Sequence, residues 1–435
     1  MIKEGREMMK NIKHWIKKIL SAGGIAVYFI IALEIMIMIS PFAFFFYSVF
    51  NPFFHFLARF SATRWLTGFY LPHMIFPPSL FLQGTRILGS VLFVFGLVIF
   101  LICALQVYLG KILKSGVASR GLYRLIRHPQ YVGLTICGIG MAILWPRFLV
   151  LVTLALMIVL YYFLARDEEL RMTIKYGNAY RSYTEQTGMV LPLWVERSIT
   201  SVVERYNLKP YMPVIFPATI LVVVLVAGFS LRALTIAELP VSIKGNVAVV
   251  SMLPEDNRFL NEAVSVLNGN QETASDRLVL DQNKTYLGYL MPVDYVMQGM
   301  LANTGERWQL YKCHHTLQMI SDWVFHPFRH LRQPPMHFDH QMPAGHTMAM
   351  ARRHHCPLGI NDPNLECSNC PYRRVVLVQE ERKQGKALSN RYLFALNTER
   401  TAVGYLDIDV HSGIIIDAVR INGKTAWKDV TTPIF

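Results

Sequence analysis

Charge is what this sequence has least of: 17% of its 435 residues are Asp, Glu, Lys or Arg, against 53% that are hydrophobic. A chain so apolar is not a disordered one. Acid is scarcer than base, 29 residues against 43, which leaves a formal net charge of +14. The shortage is also uneven. Residues 1–234 hold 23 basic and 9 acidic side chains, whereas residues 235–435 hold 20 of each. The whole basic surplus therefore sits in the apolar half. A nucleic-acid binder carries its basic residues on a soluble face, so the pattern excludes nucleic acid as a partner and argues against a simple cytosolic enzyme. Internal repeats and low-complexity linkers are lacking. No Ala-x-Ala site follows the first apolar run, which is longer than the core of a cleaved signal peptide, so it reads as a retained membrane helix.

Long hydrophobic runs, by contrast, are plentiful. A helix needs about 20 apolar residues to cross a bilayer. Residues 24–50, 87–109 and 211–231 each supply such a run. Residues 131–164 are too long for one span, and Trp145-Pro146-Arg147 divides them into a tight helical hairpin. Five spans result. Of the 23 basic residues, 18 lie in residues 1–20, 110–130 and 165–211, which are alternate connections. Lys and Arg accumulate on the cytoplasmic side. The expected architecture is a polytopic α-helical membrane domain of about five transmembrane helices, residues 1–234, followed by an α+β extracytoplasmic domain, residues 235–435. The N-terminus is then cytoplasmic, the membrane is the inner (cytoplasmic) one, and the C-terminal domain is periplasmic. Glu34 within the first run is either functional or a protonated or internally paired carboxylate.

The most informative stretch is Gly121-Leu-Tyr123-Arg-Leu-Ile-Arg127-His128-Pro129-Gln-Tyr131-Val-Gly133, at the mouth of the hairpin. Pro129 turns His128 away from helical geometry and can open the next helix, whose free N–H groups attract anions. Arg127 adds a forked cation suited to a carboxylate. Gly133, Gly138 and Gly140 thin one helix face, where another helix or a ligand can approach. After the hairpin come Glu168-Glu169, then Tyr176-Gly177, Tyr180 and Tyr183. Carboxylates and tyrosines together suit a cationic ligand. Singly, these features are ordinary orientation signals and helix-end charges.

In this order, with the hydrophobic hairpin between them and Pro192 after them, the two clusters resemble the isoprenylcysteine carboxyl methyltransferase family and the broader group that includes phospholipid methyltransferases. The likeness covers residues 85–195, and Tyr176 stands where Phe is commoner. The resemblance implies a membrane enzyme using S-adenosylmethionine on a lipid or lipid-soluble substrate. By position, it implies that Arg127, His128 and Tyr131 meet the cofactor or the acceptor and that Glu169, Tyr180 and Tyr183 help enclose the cofactor; Gly133 is a further cofactor-binding candidate, and Arg127 and Glu168 are the candidates for orienting the acceptor. Positioning alone can supply much of the acceleration of such a displacement.

The second half has ordinary soluble composition and is long enough to bury its own core. Residues 241–252 and 284–292 read as strands, 307–325 as a helix, and 374–379, 391–397, 402–410 and 414–421 as a meander with Ser412-Gly413 at a hairpin turn. Nine of the 14 His fall between His314 and His355. Cys313, His314, His354, His355, Cys356, Cys367 and Cys370 are the candidate metal ligands of that stretch. A structural zinc site, two disulfides, and haem or copper are the open alternatives. The Cys-x-x-Cys-His signature of covalent haem is absent. A membrane-bound methyltransferase fused to a metal- or redox-related domain is the leading expectation. A non-catalytic membrane subunit serving electron transfer or metal handling, with membrane-complex or redox partners, is the alternative.

Overall fold

The computed structural model describes residues 32–46, 48, 56–57, 59–72, 75, 79–113, 119–269, 280–281, 283–292, 372–381, 388–396 and 401–420, with two-residue strands at Val296–Met297, Ala302–Asn303 and Gln309–Leu310. Helices stand at all five apolar runs. They are α1 (Ala32–Phe46), α2 (Leu80–Ile112), α3 (Pro129–Leu144), α4 (Phe148–Tyr176) and, after two short helices α5 (Asn178–Gln186) and α6 (Leu193–Arg205), α7 (Met212–Glu238). Three are long and apolar enough to cross a membrane: α2, α4 and α7, the last counted from Lys209. The described part of α1, and α3 as a whole at 16 residues, are shorter apolar helices. The chain is thus a multi-pass membrane protein in its first half, followed by a mixed α/β region.

Backbone contacts divide the chain into two compact units. One comprises residues 1–50, 92–139 and 152–224; the other comprises 51–91, 140–151 and 225–435. In the first unit the helices meet through small residues. A Cβ on Gly96 of α2 would stand 2.3 Å from the backbone N of Cys137 and 2.6 Å from the carbonyl of Gly133. Glycine at both positions lets the two backbones touch, as polar-poor membrane interfaces require. Gly138 gives the opposite face of α3 to Leu154 and Met157 of α4. Ser48 and Thr153 share a buried hydrogen bond of 2.7 Å, and Glu34 of α1 forms an ion pair with Lys111 of α2. The intramembrane carboxylate is therefore internally paired.

In the second unit the hairpin turn is clasped by residues 67–70. Arg147 donates to the Thr67 carbonyl at 2.7 Å and stacks on Phe69, while the Tyr70 N–H reaches the Pro146 carbonyl at 2.8 Å. Helices α3 and α4 break at Trp145–Arg147, where the sequence divides the run. Buried Arg232 of α7 donates to the carbonyls of Phe69 and Phe394, and Asn390 donates to those of Ile236 and Leu239. These bonds fasten the sheet to the end of α7.

The sheet has six strands in sequential order: β1 (Val241–Lys244), β2 (Val247–Ser251), β3 (Lys284–Pro292), β4 (Tyr372–Glu381), β5 (Thr401–Asp409) and β6 (Ile414–Arg420). Only β2 and β3 pair in parallel, joined by a crossover containing helix α8 (Leu260–Gly269). One face packs Val250, Leu287, Tyr289 and Val376; the other packs α8 against Val249, Leu290, Val375 and Leu377. Two adjacent arginines on β4 take buried carboxylates: Arg373 binds Asp256 at 2.7 Å, and Arg374 binds both oxygens of Asp407 at 2.6 Å.

Three expected elements differ. The single strand over 241–252 is a hairpin, because Gly245 adopts φ +63° and turns the chain. Residues 391–397 hold a helical turn, Asn390–Leu393, rather than a strand, because the Ser389 hydroxyl caps the Tyr392 N–H. Within the helix expected over 307–325, Gln309–Leu310 pair as a strand with Ala302–Asn303. The remainder of that span lies outside the described residues.

Candidate active site

The site belongs to the first unit and is built where α3 begins, α4 ends and α5 returns. Pro129 is the first residue of α3, so His128 and Arg127 lie just outside the helix. They are held there by a strap. The Arg127 N–H donates to the Gly188 carbonyl at 2.8 Å, the His128 N–H to the Met189 carbonyl at 3.0 Å, and the Gly188 N–H to the Leu125 carbonyl at 3.3 Å. Ile126 and Gly188 thereby form a parallel bridge. The return is possible because Gly177, at φ +55°, breaks α4 from α5, a conformation that favours glycine.

Glu168 and Glu169 project from α4 onto this loop. Arg127 donates through Nε to Glu169 at 2.5 Å and through Nη1 to the carbonyls of Thr184 and Thr187. Tyr131 donates its hydroxyl to Glu168 at 2.7 Å. Between the carboxylates sits His128, buried, with Nδ1 3.2 Å from Glu168 and Nε2 3.6 Å from Glu169. These are ion-pair distances without linear hydrogen bonds, and neither ring nitrogen has a hydrogen-bond partner among the described residues. Burial opposes a charge on His128. The two facing carboxylates outweigh it and hold the imidazole above its ordinary value of 6.5. Tyr131 stacks on His128 on one side and on Tyr161 on the other, with centroids 5.6 and 4.8 Å apart.

Tyr180 and Tyr183 pair on α5 at 5.9 Å, and burial raises both phenols, so they remain neutral. Tyr183 donates to the Tyr123 carbonyl at 2.6 Å, and the Tyr123 hydroxyl reaches Gln130 at 3.0 Å. Gly133 lies on the far side of α3, where a Cβ would meet the Phe100 backbone of α2 at 2.7 Å. Gly133 thus serves a helix contact. Residues that sequence reading did not single out include Gln130, Tyr161 and Glu196. Glu196 accepts the N–H groups of Met189, Val190 and Leu191 at 2.8, 3.0 and 3.2 Å. Its signal was faint: one carboxylate in the first turn of a helix after Pro192.

All seven candidate metal ligands, Cys313, His314, His354, His355, Cys356, Cys367 and Cys370, lie outside the described residues. Among the described residues no group of three or more His, Cys, Asp or Glu side chains is placed to hold a metal ion.

Chemically, the arrangement offers two partly exposed carboxylates, a fixed guanidinium, an imidazole whose ring nitrogens make no hydrogen bond among the described residues, and a wall of stacked rings. That set fits a ligand carrying both ammonium and carboxylate groups. The model of the phospholipid methyltransferase family matches residues 84–179, under a quarter of the chain, and agrees with the resemblance carried by Arg127-His128-Pro129 and Glu168-Glu169. The likeness of this segment is to membrane methyltransferases that act on lipids with S-adenosylmethionine. Comparison with curated proteins and with solved structures gives no match.

Proposed function

We propose that residues 1–234 form a membrane methyltransferase that uses S-adenosylmethionine to methylate a lipid or lipid-soluble acceptor. The observation that supports it most is the interlocked set of Arg127, His128, Tyr131, Glu168 and Glu169, contributed by two segments some 40 residues apart within the family-matched stretch. When bound, the cofactor supplies a methyl group on a sulfonium, a good leaving group needing no general acid. Glu169, with Arg127 beside it, is proposed to take the amino-acid end of the cofactor. Tyr180 and Tyr183 enclose its cationic part with ring faces, and Tyr131, stacked between His128 and Tyr161, backs the site. Glu168 and Arg127 orient the acceptor, which reaches the site laterally from the bilayer. For an amine acceptor, the nitrogen would take the methyl group and would have to shed a proton. The proton the amine sheds passes to Glu168, the more exposed of the two carboxylates. A carboxylate acceptor requires no such base. Excluding water and holding the reactants in line supply the acceleration.

The sheet and the stretch beyond it, residues 235–435, are read as a separate extracytoplasmic domain, with the His/Cys-rich segment as its metal- or redox-related part. The test of the methyltransferase reading is binding of S-adenosylhomocysteine to the full chain in nanodiscs, followed by transfer of a labelled methyl group into extracted lipid. Binding lost in Glu169→Ala and label recovered in lipid are the expected results. A folded wild type that binds no S-adenosylhomocysteine would overturn the reading.

A further inference from the structure

Helix α6 has 13 residues and not one of them is buried. Yet it is strongly two-sided. Val195, Ile199, Val202 and Tyr206 fall on one side at helical spacing, with Trp194 at its edge, while Glu196, Thr200, Ser201 and Glu204 fall on the other. Trp194 is 73% exposed, Tyr206 66% and Val202 50%. Apolar area left in water forfeits roughly 25 cal/mol per Å².

The topology says what covers this side. Helix α4 ends at Tyr176 and the next long apolar helix opens at Lys209, so the connection between them lies on one face of the membrane. A helix of this length, about 20 Å at 1.5 Å per residue, ends at Arg205, directly before the apolar helix that opens at Lys209, and cannot travel far from the bilayer. Its exposed apolar side continues into exposed Tyr211 and Val214 at the start of α7. Arg205 and Lys209 border it with cations. Trp and Tyr favour the headgroup level, and a helix of this pattern lies in the interface with its apolar face roughly 5–10 Å deep.

We infer that α6 is an interfacial membrane helix, its Trp194–Val202–Tyr206 side set into the phospholipid headgroup layer, and that through Glu196 it anchors the strap of the active site. Glu196 points away from that side and gathers the amides of residues 189–191. The same loop offers the Gly188 and Met189 carbonyls to the amides of Arg127 and His128. A continuous hydrogen-bonded path therefore runs from a helix seated on the bilayer to the two residues that face the carboxylates. The lipid contact is independent of the methyltransferase reading; only the consequence for catalysis rests on it.

The experiment uses the full chain in phosphatidylcholine/phosphatidylglycerol nanodiscs, with the photocrosslinker p-benzoylphenylalanine at Val202, at Glu204 on the opposite side, or at Val222 in α7 as a lipid-facing reference. At least tenfold more lipid adduct at Val202 than at Glu204 is expected. Equal yields at both, protein adducts at Val202, or no adduct at Val202 while Val222 labels normally would each overturn the interfacial placement. Hydrogen exchange of the Arg127 and His128 amides tests the anchor and needs no ligand. Glu196→Gln should accelerate it at least tenfold, whereas Glu204→Gln should leave it unchanged. No acceleration in Glu196→Gln, or equal acceleration in both, would overturn the coupling. Loss of S-adenosylhomocysteine binding in the wild type would count against the proposed function alone.

Discussion

Two cations and two carboxylates meet at the head of α3, and their balance sets the expectations for single residues. Removing the guanidinium in Arg127→Ala strips Glu169 of a charged hydrogen bond, typically about 1.5–3 kcal/mol. The expected loss of S-adenosylhomocysteine affinity, read by calorimetry, is therefore about tenfold or more. An unchanged Kd would remove Arg127 from the site. His128 carries a pH signature. Its folded pKa lies above the ordinary 6.5, so its protonation favours the folded state. That contribution is complete below about pH 6.5 and is lost as pH rises through the raised folded value. Thermal unfolding should show wild type losing Tm over that interval and His128→Gln lacking that part of the slope. The groups facing the ring are Glu168, Glu169, Arg127 and the Tyr131 face. Because S-adenosylmethionine carries one more positive charge than S-adenosylhomocysteine, its relative affinity should rise over the same interval. Parallel pH profiles for the two ligands would contradict this. Each side chain of this set is ordinary at a span end, and the set could be picked out from the sequence because the order and spacing of the two clusters resemble a known family. The strap could not, since its acceptors are backbone carbonyls that any residue supplies.

Among the elements, the crossing of α2 and α3 is the most sensitive to change. Gly96→Val should destabilise the helical unit by about 1–3 kcal/mol, the usual cost of overpacking, because its Cβ meets the Cys137 backbone. Gly84→Ala on the same helix meets nothing within 4 Å and should be neutral or slightly stabilising. Tm in detergent separates the two, and equal shifts would mean that the helices do not touch at Gly96. In the sheet, Arg373→Ala leaves Asp256 buried and unpaired, and a loss of about 3–5 kcal/mol in chemical unfolding is expected. A loss below 1 kcal/mol would show the pair to be solvated. The helices were legible because each long apolar run has few alternatives, and β3 was legible because it is buried on both faces and reads as continuous. Helix α8 was not foreseen, since its apolar Ala263, Val264, Val266 and Leu267 make a short buried run with no long amphipathic period. The Asn390–Leu393 turn misled because Arg-Tyr-Leu-Phe-Ala favours a strand until Ser389 caps it.

For the whole molecule the distribution of basic residues carries a prediction of sidedness. If all five helices cross, the α4–α7 connection and the β5–β6 turn lie on opposite faces. A protease site placed in the exposed turn around Ser412 should be cut from outside in spheroplasts, and one placed in the α6–α7 link only after lysis. Cleavage of both only after lysis would mean that α7 does not cross. The same result would move Cys313, Cys356, Cys367 and Cys370 from an oxidising compartment to a reducing one, and with it shift the balance between disulfides and zinc.

The strap between Leu125–His128 and Thr187–Met189 also sets where the site can be cut. The family-matched stretch ends at residue 179 and contains Arg127, His128, Tyr131, Glu168 and Glu169. It omits the carbonyls of Thr184, Thr187, Gly188 and Met189 that receive Arg127 and His128, and it omits Glu196 behind them. A fragment ending at 179 would hold Arg127, His128, Tyr131, Glu168 and Glu169 but lose Tyr180 and Tyr183 together with the shared footing of the set. The smallest portion able to keep the site in shape extends through α6, so the unit of function is longer than the unit of resemblance.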